Sequence, residues 1–343
     1  MVKEGLDINC MLHTQALSIG YTYRDKEHIL QSGLNLELFE GDFVCLIGPN
    51  GCGKSTLIRT LGGIQPPVTG EVFIEDEKLS SLGYSQRSRL LNTVLTDRTG
   101  VGSITVEEVV ALGRYSYTNW IGSLIDDDKN HVAKAIKEVG LSGFEDRKLD
   151  TLSDGERQRV FIAKALASDA PVLLLDEPTA HLDISNRVEI LTLLRNLSVT
   201  TGHACLVSTH DLGLALQLAD EIWLMLPGKG MICCTPEEVM QEDHLDKIFG
   251  NSTVFFDPAS GNFTLRKKSS YSIRQNKNTE IPDYALKTFA RLRFSIHESD
   301  NALAEVGKDK EGWMVSASEV EINQLSLSET CRILKKLIKK VNR

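Results

Sequence analysis

Two hydrophobic periods run through the first 249 residues. LNLELF (34–39) alternates apolar and polar positions, the pattern of a strand with one covered face. FVCLIG (43–48), VLLLD (172–176) and ACLVST (204–209) are continuously apolar, as strands buried on both faces require. Helical spacing follows the glycine-rich turn in KSTLIRTLGG and recurs over 128–139, 155–168 and 184–197. In TPEE, Thr235 is placed to N-cap a helix, Pro236 suits its first turn and Glu238 closes a capping box. Short strands alternating with helices predict an α/β core ending near residue 250. The text then turns polar, RKKSSYSIRQNKNTE over 266–280, so 251–280 is expected to be a linker before a small α/β domain at 281–343. That domain ends in SLSETCRILKKLIKKVNR, where Ser326 and Glu329 form a capping box. Ile333, Leu334, Leu337, Ile338 and Val341 share one helical stripe.

Composition narrows the class. A chain of 343 residues is long enough for a large core plus an appended unit. The net charge of -9 argues against a protein that grips nucleic-acid phosphates. Charge is uneven: residues 250–343 carry 16 Lys+Arg against 11 Asp+Glu, and residues 1–249 carry 22 against 36. The basic tail is either a packed unit with a solvated cationic face or an interaction or membrane-surface element. Seven scattered cysteines (Cys10, Cys45, Cys52, Cys205, Cys233, Cys234, Cys331) read as buried thiols of a reducing compartment. The adjacent pair Cys233 and Cys234 cannot build the usual C-x-x-C half of a zinc site. The N-terminus, MVKEGLDINC, has no apolar h-region, and no apolar run reaches the ~18 residues of a membrane span, so a soluble chain is expected.

The chemistry starts at GPNGCGKST, residues Gly48, Pro49, Asn50, Gly51, Cys52, Gly53, Lys54, Ser55 and Thr56. It fits G-x-x-x-x-G-K-[ST], follows a buried strand and opens a helix. Its glycines let backbone N–H groups face inward as an anion nest, Lys54 bridges terminal phosphates and Ser55 offers a hydroxyl to Mg²⁺. Downstream, the strand VLLL delivers Asp176 and Glu177 at its carboxyl end, where ligands of open α/β sheets sit. Asp176 can hold Mg²⁺ through water while Glu177 polarises an attacking water. A third strand, ACLVST, ends in His210, placed to touch a γ-phosphate.

The order GPNGCGKST, LSDGERQR (152–159), VLLLDEPTAHLD (172–183) and STHD (208–211) resembles the nucleotide-binding subunit of an ABC transporter across most of residues 12–249. The resemblance implies a P-loop cassette with a mixed-sheet core, an antiparallel β subdomain and a helical subdomain at about 84–160. It also implies a homodimer that sandwiches ATP. In it, Ser153 and Gly155 of one copy face the phosphate loop of the other, Asp183 touches the opposite subunit and His210 is the switch histidine. An aromatic residue should stack on adenine; Tyr21 matches that position best and Tyr23 is a close rival.

The signature reads LSDGE, with Asp154 and Glu156 where glycine and glutamine are commonest, and Thr96 falls where a glutamine normally approaches Mg²⁺. ITVEEVVALGRYSYTNWIG is similar to cassettes of importers for iron-siderophores, haem and cobalamin. That branch implies a peripheral subunit on the cytoplasmic face of the inner membrane. It would be docked on an integral membrane permease dimer served by an extracytoplasmic substrate-binding protein. Tyr115, Tyr117 and Trp120 either form a docking surface or pack inside the helical subdomain. An exporter ATPase subunit and a soluble non-transport ABC ATPase are the alternatives.

Overall fold

The computed structural model describes residues 9–24, 26–95, 103–118, 124–228, 230–241, 244–249, 254–257, 262–265, 271–276, 279–296, 302–317 and 320–341. The chain divides into two compact units, Met1–Gly250 with Phe256–Asn262, and Asn251–Phe255 with Phe263–Arg343.

In the first unit β1 (Cys10–Tyr23) pairs antiparallel with β2 (Lys26–Leu34) and with β3 (Glu37–Phe39). The expected strand 34–39 is therefore split between two elements. Asn35 Oδ1 accepts the Ala16 N–H and Thr14 Oγ1 accepts the Leu36 N–H where β1 passes from one partner strand to the other. The alternation itself survives, since Leu34, Leu36 and Leu38 are all buried. β4 (Phe43–Ile47) opens a second sheet and leads into α1 (Lys54–Leu61). The chain then returns to the first sheet as β5 (Thr69–Ile74), antiparallel to β1, and β6 (Glu77–Lys78).

A mostly helical stretch follows: α2 (Tyr84–Leu90), β7 (Leu91–Val94), α3 (Val106–Ala111), α4 (Asp126–Glu138) and α5 (Asp154–Ala167). Residues 84–160 are thus not wholly helical, because β7 pairs with β8 (Val172–Leu175) in the second sheet. After α6 (Ile184–Thr201), β9 (Ala204–Ser208), α7 (Leu212–Leu218), β10 (Glu221–Leu226) and β11 (Gly230–Cys234), the unit closes with α8 (Pro236–Gln241) and α9 (His244–Phe249). The second sheet runs β11-β10-β4-β9-β8-β7, parallel except for β11.

The continuous apolar runs are explained by two cores. Phe43, Cys45, Leu173, Leu175, Cys205 and Val207 point into one core with α3 to α6. Val44, Leu46, Val172, Leu174, Ala204 and Leu206 point into the other, with α1 and the antiparallel sheet. Because successive side chains on a strand face opposite ways, two covered faces demand apolar residues at every position. Cys45, Cys52 and Cys205 are buried, and burial pushes the Cys45 and Cys205 thiols up to about 12. Cys233, expected to be packed, is exposed on β11. It lies on the antiparallel strand that ends the order of the sheet among the described residues.

Beyond residue 250, β12 (Val254–Asp257) pairs with β13 (Asn262–Leu265). Next come β14 (Tyr271–Gln275), α10 (Asp283–Arg291), β15 (Phe294–Ile296), β16 (Glu305–Lys308), β17 (Trp313–Ala317), β18 (Val320–Leu325) and α11 (Leu327–Val341). The expected linker 251–280 thus carries three strands. In YSIRQ the polar residues mask a strand whose Ile273 is fully buried, and β14 sits inside the sheet ordered β15-β14-β16-β17-β18. Leu334 of α11 is buried in that unit's core with Ile273, Phe289, Phe294, Val306 and Trp313. Ser326 and Glu329 exchange both capping bonds. The apolar stripe of the tail therefore packs within its own unit.

Candidate functional site

The loop between β4 and α1 has the backbone that its glycines allow. Gly51 and Gly53 take φ of +78° and +114°, where a side chain is strained. A Cβ on Gly48 would sit 2.9 Å from the Met225 carbonyl oxygen. Lys54 is buried and donates from Nζ to the carbonyls of Gly48 (2.8 Å) and Pro49 (3.2 Å), folding its charge over the loop. Burial raises the Cys52 thiol, against a smaller opposing pull from Lys54. Gln31, which carried no signal in the sequence, fastens the loop from β2. Its Nε2 donates to Leu226 O (2.7 Å) and Cys52 O (3.3 Å), and its Oε1 accepts the Gly230 N–H.

Opposite the loop, the adjacent strand ends converge. The Asp176 N–H donates to Val94 O beside the carboxyl end of β8, and Oδ1 of Asp176 accepts Ser55 Oγ (3.0 Å) and Ser208 Oγ (2.9 Å). Ser208 Oγ also accepts the Glu177 N–H at 2.8 Å. Ser208, a strand-end serine of the STHD run that sequence reasoning passed over, thus links both carboxylate residues. Glu177 lies at φ +46°, in the left-handed region that costs a non-glycine residue about 1–2 kcal/mol. Its Oε1 is 2.6 Å from His210 Nε2. Asp211 then caps α7 by accepting the Leu214 N–H. Glu177, Thr179, His181, Arg187, His210 and Asp211 border a cavity of about 470 Å³.

These groups fit a nucleotide and a hard cation. A helix N-terminus with inward N–H groups and a lysine favours phosphate. A carboxylate beside a serine hydroxyl supplies the oxygen ligands that Mg²⁺ prefers to share with phosphate and water. The hydroxyl of Tyr21 is 2.6 Å from Thr56 Oγ1, while its ring is half exposed. The Tyr23 side chain, Thr96 and Trp120 lie outside the described residues.

Ser153 and Asp183 occupy helix starts. Ser153 caps α5: its Oγ accepts the Glu156 N–H, and Glu156 Oε2 accepts the Ser153 N–H (2.8 Å) and Oγ–H (2.9 Å). Those two bonds hold the Glu156 carboxyl below its usual range. A capping box takes glutamate as readily as glutamine, so Glu156 is accommodated at this position. Asp183 caps α6 through the Asn186 N–H (2.8 Å). A Cβ on Gly155 would lie 2.6 Å from Asn186 Oδ1, so the glycine permits α5 and α6 to meet. Among the described residues no hydrogen bond joins Ser153, Gly155 or Asp183 to the Gly48–Thr56 loop.

A groove of about 500 Å³ lies between α2, β7 and the turn after α3, bordered by Ile64, Tyr84, Leu112, Tyr115 and Lys164. Those four large apolar residues are all exposed. Tyr117 is not part of this surface. Its ring is stacked between the guanidinium groups of Arg114 (3.8 Å) and Arg89 (4.6 Å), and its hydroxyl donates to Ser168 O. Arg114 is itself buried against Asp128 at 2.8 Å.

Residues 31–180 match the family described as ABC transporter. The chain is 34% identical over 251 residues to the ferric enterobactin transport ATP-binding protein FepC of Escherichia coli, covering 73% of this chain and 91% of that protein. It is 37% identical over 259 residues to the cobalamin import ATP-binding protein BtuD of Halobacterium salinarum, covering 75% and 61%. Among solved structures, the dimeric cassette MJ0796 superposes with a TM-score of 0.55 at 28% identity, covering 63% of this chain and 94% of that one. The chain belongs to the ATP-binding subunits of ABC transporters, and its first unit is a P-loop ABC ATPase cassette. Among the described residues no helix is long and apolar enough to cross a membrane.

Proposed function

We propose that this chain is the ATP-hydrolysing subunit of an importer for a metal chelate of the iron-siderophore or cobalamin class. The observation that supports it most directly is the convergence of Ser55, Asp176, Ser208, Glu177 and His210, in a chain whose relatives are named as ferric enterobactin and cobalamin ATP-binding proteins.

In this reading Lys54 and the loop N–H groups bind the phosphates of ATP, and Ser55 with Asp176 holds Mg²⁺, which neutralises phosphate charge when bound. Glu177 accepts the proton of the attacking water. His210 holds the Glu177 carboxylate in place and reaches toward the γ-phosphate. Ser208 fixes the Glu177 backbone, and Tyr21 stacks on adenine. Ser153, Gly155 and Asp183 serve a second copy across a cassette homodimer, in keeping with the dimeric structure of the MJ0796 cassette. The groove rimmed by Ile64, Tyr84, Leu112 and Tyr115 has the exposed apolar character of a protein interface and is assigned to the permease. A substrate-binding protein outside the membrane completes the importer, and the chain sits on the cytoplasmic face of the inner membrane.

The test is to tag the Glu177→Gln chain, add ATP and Mg²⁺ to detergent-solubilised native membranes and identify what co-purifies. A many-span permease is the expected result. Recovery of cytosolic partners alone, in every nucleotide state, would overturn the importer reading.

A further inference from the structure

The second unit ends in a helix whose two faces have opposite fates. At 100° per residue, Leu327, Leu334, Leu337 and Ile338 fall on one side of α11, and these pack into the unit's own core. Arg332, Lys335, Lys336, Lys339 and Lys340 fall within about 140° of arc on the other side, and all five are exposed. The four lysines form no ion pair with a described residue. Arg332 acts on Glu329, whose carboxylate is already held by Ser326. The five cations span about 12 Å along the helix, and neighbours among them are separated by less than the Debye length of about 8 Å at physiological salt, so an approaching anionic surface feels them together.

This distribution separates two kinds of membrane contact. A helix that inserts must offer its apolar face to lipid, and here that face is spent on Ile273, Phe289 and Trp313. Ile333, Leu337 and Ile338 at the borders of that face are only partly exposed, so what α11 offers fully to solvent is mainly charge. A polybasic surface of this kind attracts anionic headgroups without insertion. An acidic first unit makes the contrast sharper, since the excess of cations is confined to residues 250–343.

We infer that the Arg332–Lys340 face of α11 is a docking surface for an anionic lipid bilayer, held by electrostatics alone. The inference adds a lipid contact to the importer reading and rests on it for the presence of a membrane. Each lysine removed weakens partitioning by about fivefold, so removing four weakens it several hundred-fold.

The experiment floats the purified full-length chain, without any permease, with phosphatidylglycerol–phosphatidylcholine vesicles and with pure phosphatidylcholine vesicles. The chain is expected to rise with the anionic vesicles only and to be released at about 0.5 M salt, where the Debye length falls to about 4 Å. The variant Lys335→Gln, Lys336→Gln, Lys339→Gln, Lys340→Gln should stay at the bottom while keeping its ATPase rate and helical circular dichroism. A single Lys336→Gln chain provides a graded loss should the fourfold variant fold poorly. Flotation that survives the substitutions or high salt would overturn the inference. So would a wild-type chain that ignores anionic vesicles, or one that binds an RNA oligonucleotide more tightly than vesicles at equal salt. Flotation does not depend on the permease, and permease capture does not depend on these lysines, so each result fails separately.

Discussion

His210 Nε2 lies 2.6 Å from Glu177 Oε1, joining the ends of two adjacent parallel strands, β8 and β9. A carboxylate restrained in this way can take a proton from water without first losing the freedom of its side chain. Glu177→Gln is therefore expected to lower kcat by about 10²–10⁴ while ATP binding persists. Phosphate release and nucleotide binding measured on the same preparation check both halves, and hydrolysis at the normal rate would sink the assignment of Glu177.

Lys54 is buried, and among the described residues its ammonium has only the Gly48 and Pro49 carbonyls as partners. Facing a phosphate oxygen at ~4 Å, its charge is worth about 4 kcal/mol at an effective dielectric near 20, or roughly a thousandfold in affinity. Lys54→Ala should weaken ATP binding toward that limit with little change in the melting temperature of the nucleotide-free chain. Titration with a fluorescent ATP analogue and a thermal scan provide the comparison.

Ser55 and Asp176 are joined by a 3.0 Å hydrogen bond across 121 positions of sequence. Chelation of divalent metal is expected to abolish hydrolysis, and added Mg²⁺ to restore it. In Asp176→Asn the Mg²⁺ concentration for half-maximal rate should rise by at least tenfold, because a neutral amide is a weaker ligand for a hard cation. An unchanged Mg²⁺ requirement would remove Asp176 from the metal site.

Arg114 and Asp128 form a buried ion pair. Burial alone pushes the Asp128 carboxyl upward, but the bonds from Arg114 and the Ile125 N–H outweigh it and hold the group below its usual range. A carboxyl depressed on folding stabilises the protein above its unfolded pKa, near pH 4, and that contribution is lost as pH falls through the folded value. Asp128→Ala leaves a buried cation and should cost about 3–5 kcal/mol at neutral pH. Urea unfolding at pH 7 and pH 3 should show the gap between variant and parent shrinking in acid.

The motifs were legible because each is short and carries its own geometry. The turn from Gly48 to Thr56, the helix starts at Thr235 and Ser326, and the buried strands all follow from spacing over a few residues. Polar composition concealed β14, whose one buried side chain, Ile273, leaves no run to detect. Tyr117 was ambiguous because an aromatic residue beside Arg114 suits a surface or a stack equally, and only packing against Arg89 and Ser168 decides it.

By itself the sequence determined the phosphate loop, the acidic strand end, the cassette family and the charge of the tail, all of which depend on neighbours in the chain. Tertiary structure alone decided that Ser208 links Asp176 to Glu177, that Gln31 fastens the loop to β10 and β11, and that Gly155 makes room for Asn186. It also turned the apolar face of α11 inward and left the lysines outside. Each of these joins residues that are distant in sequence or equivalent in pattern, and a hydrogen bond or a buried face has no partner until the sheets and helices have closed around it.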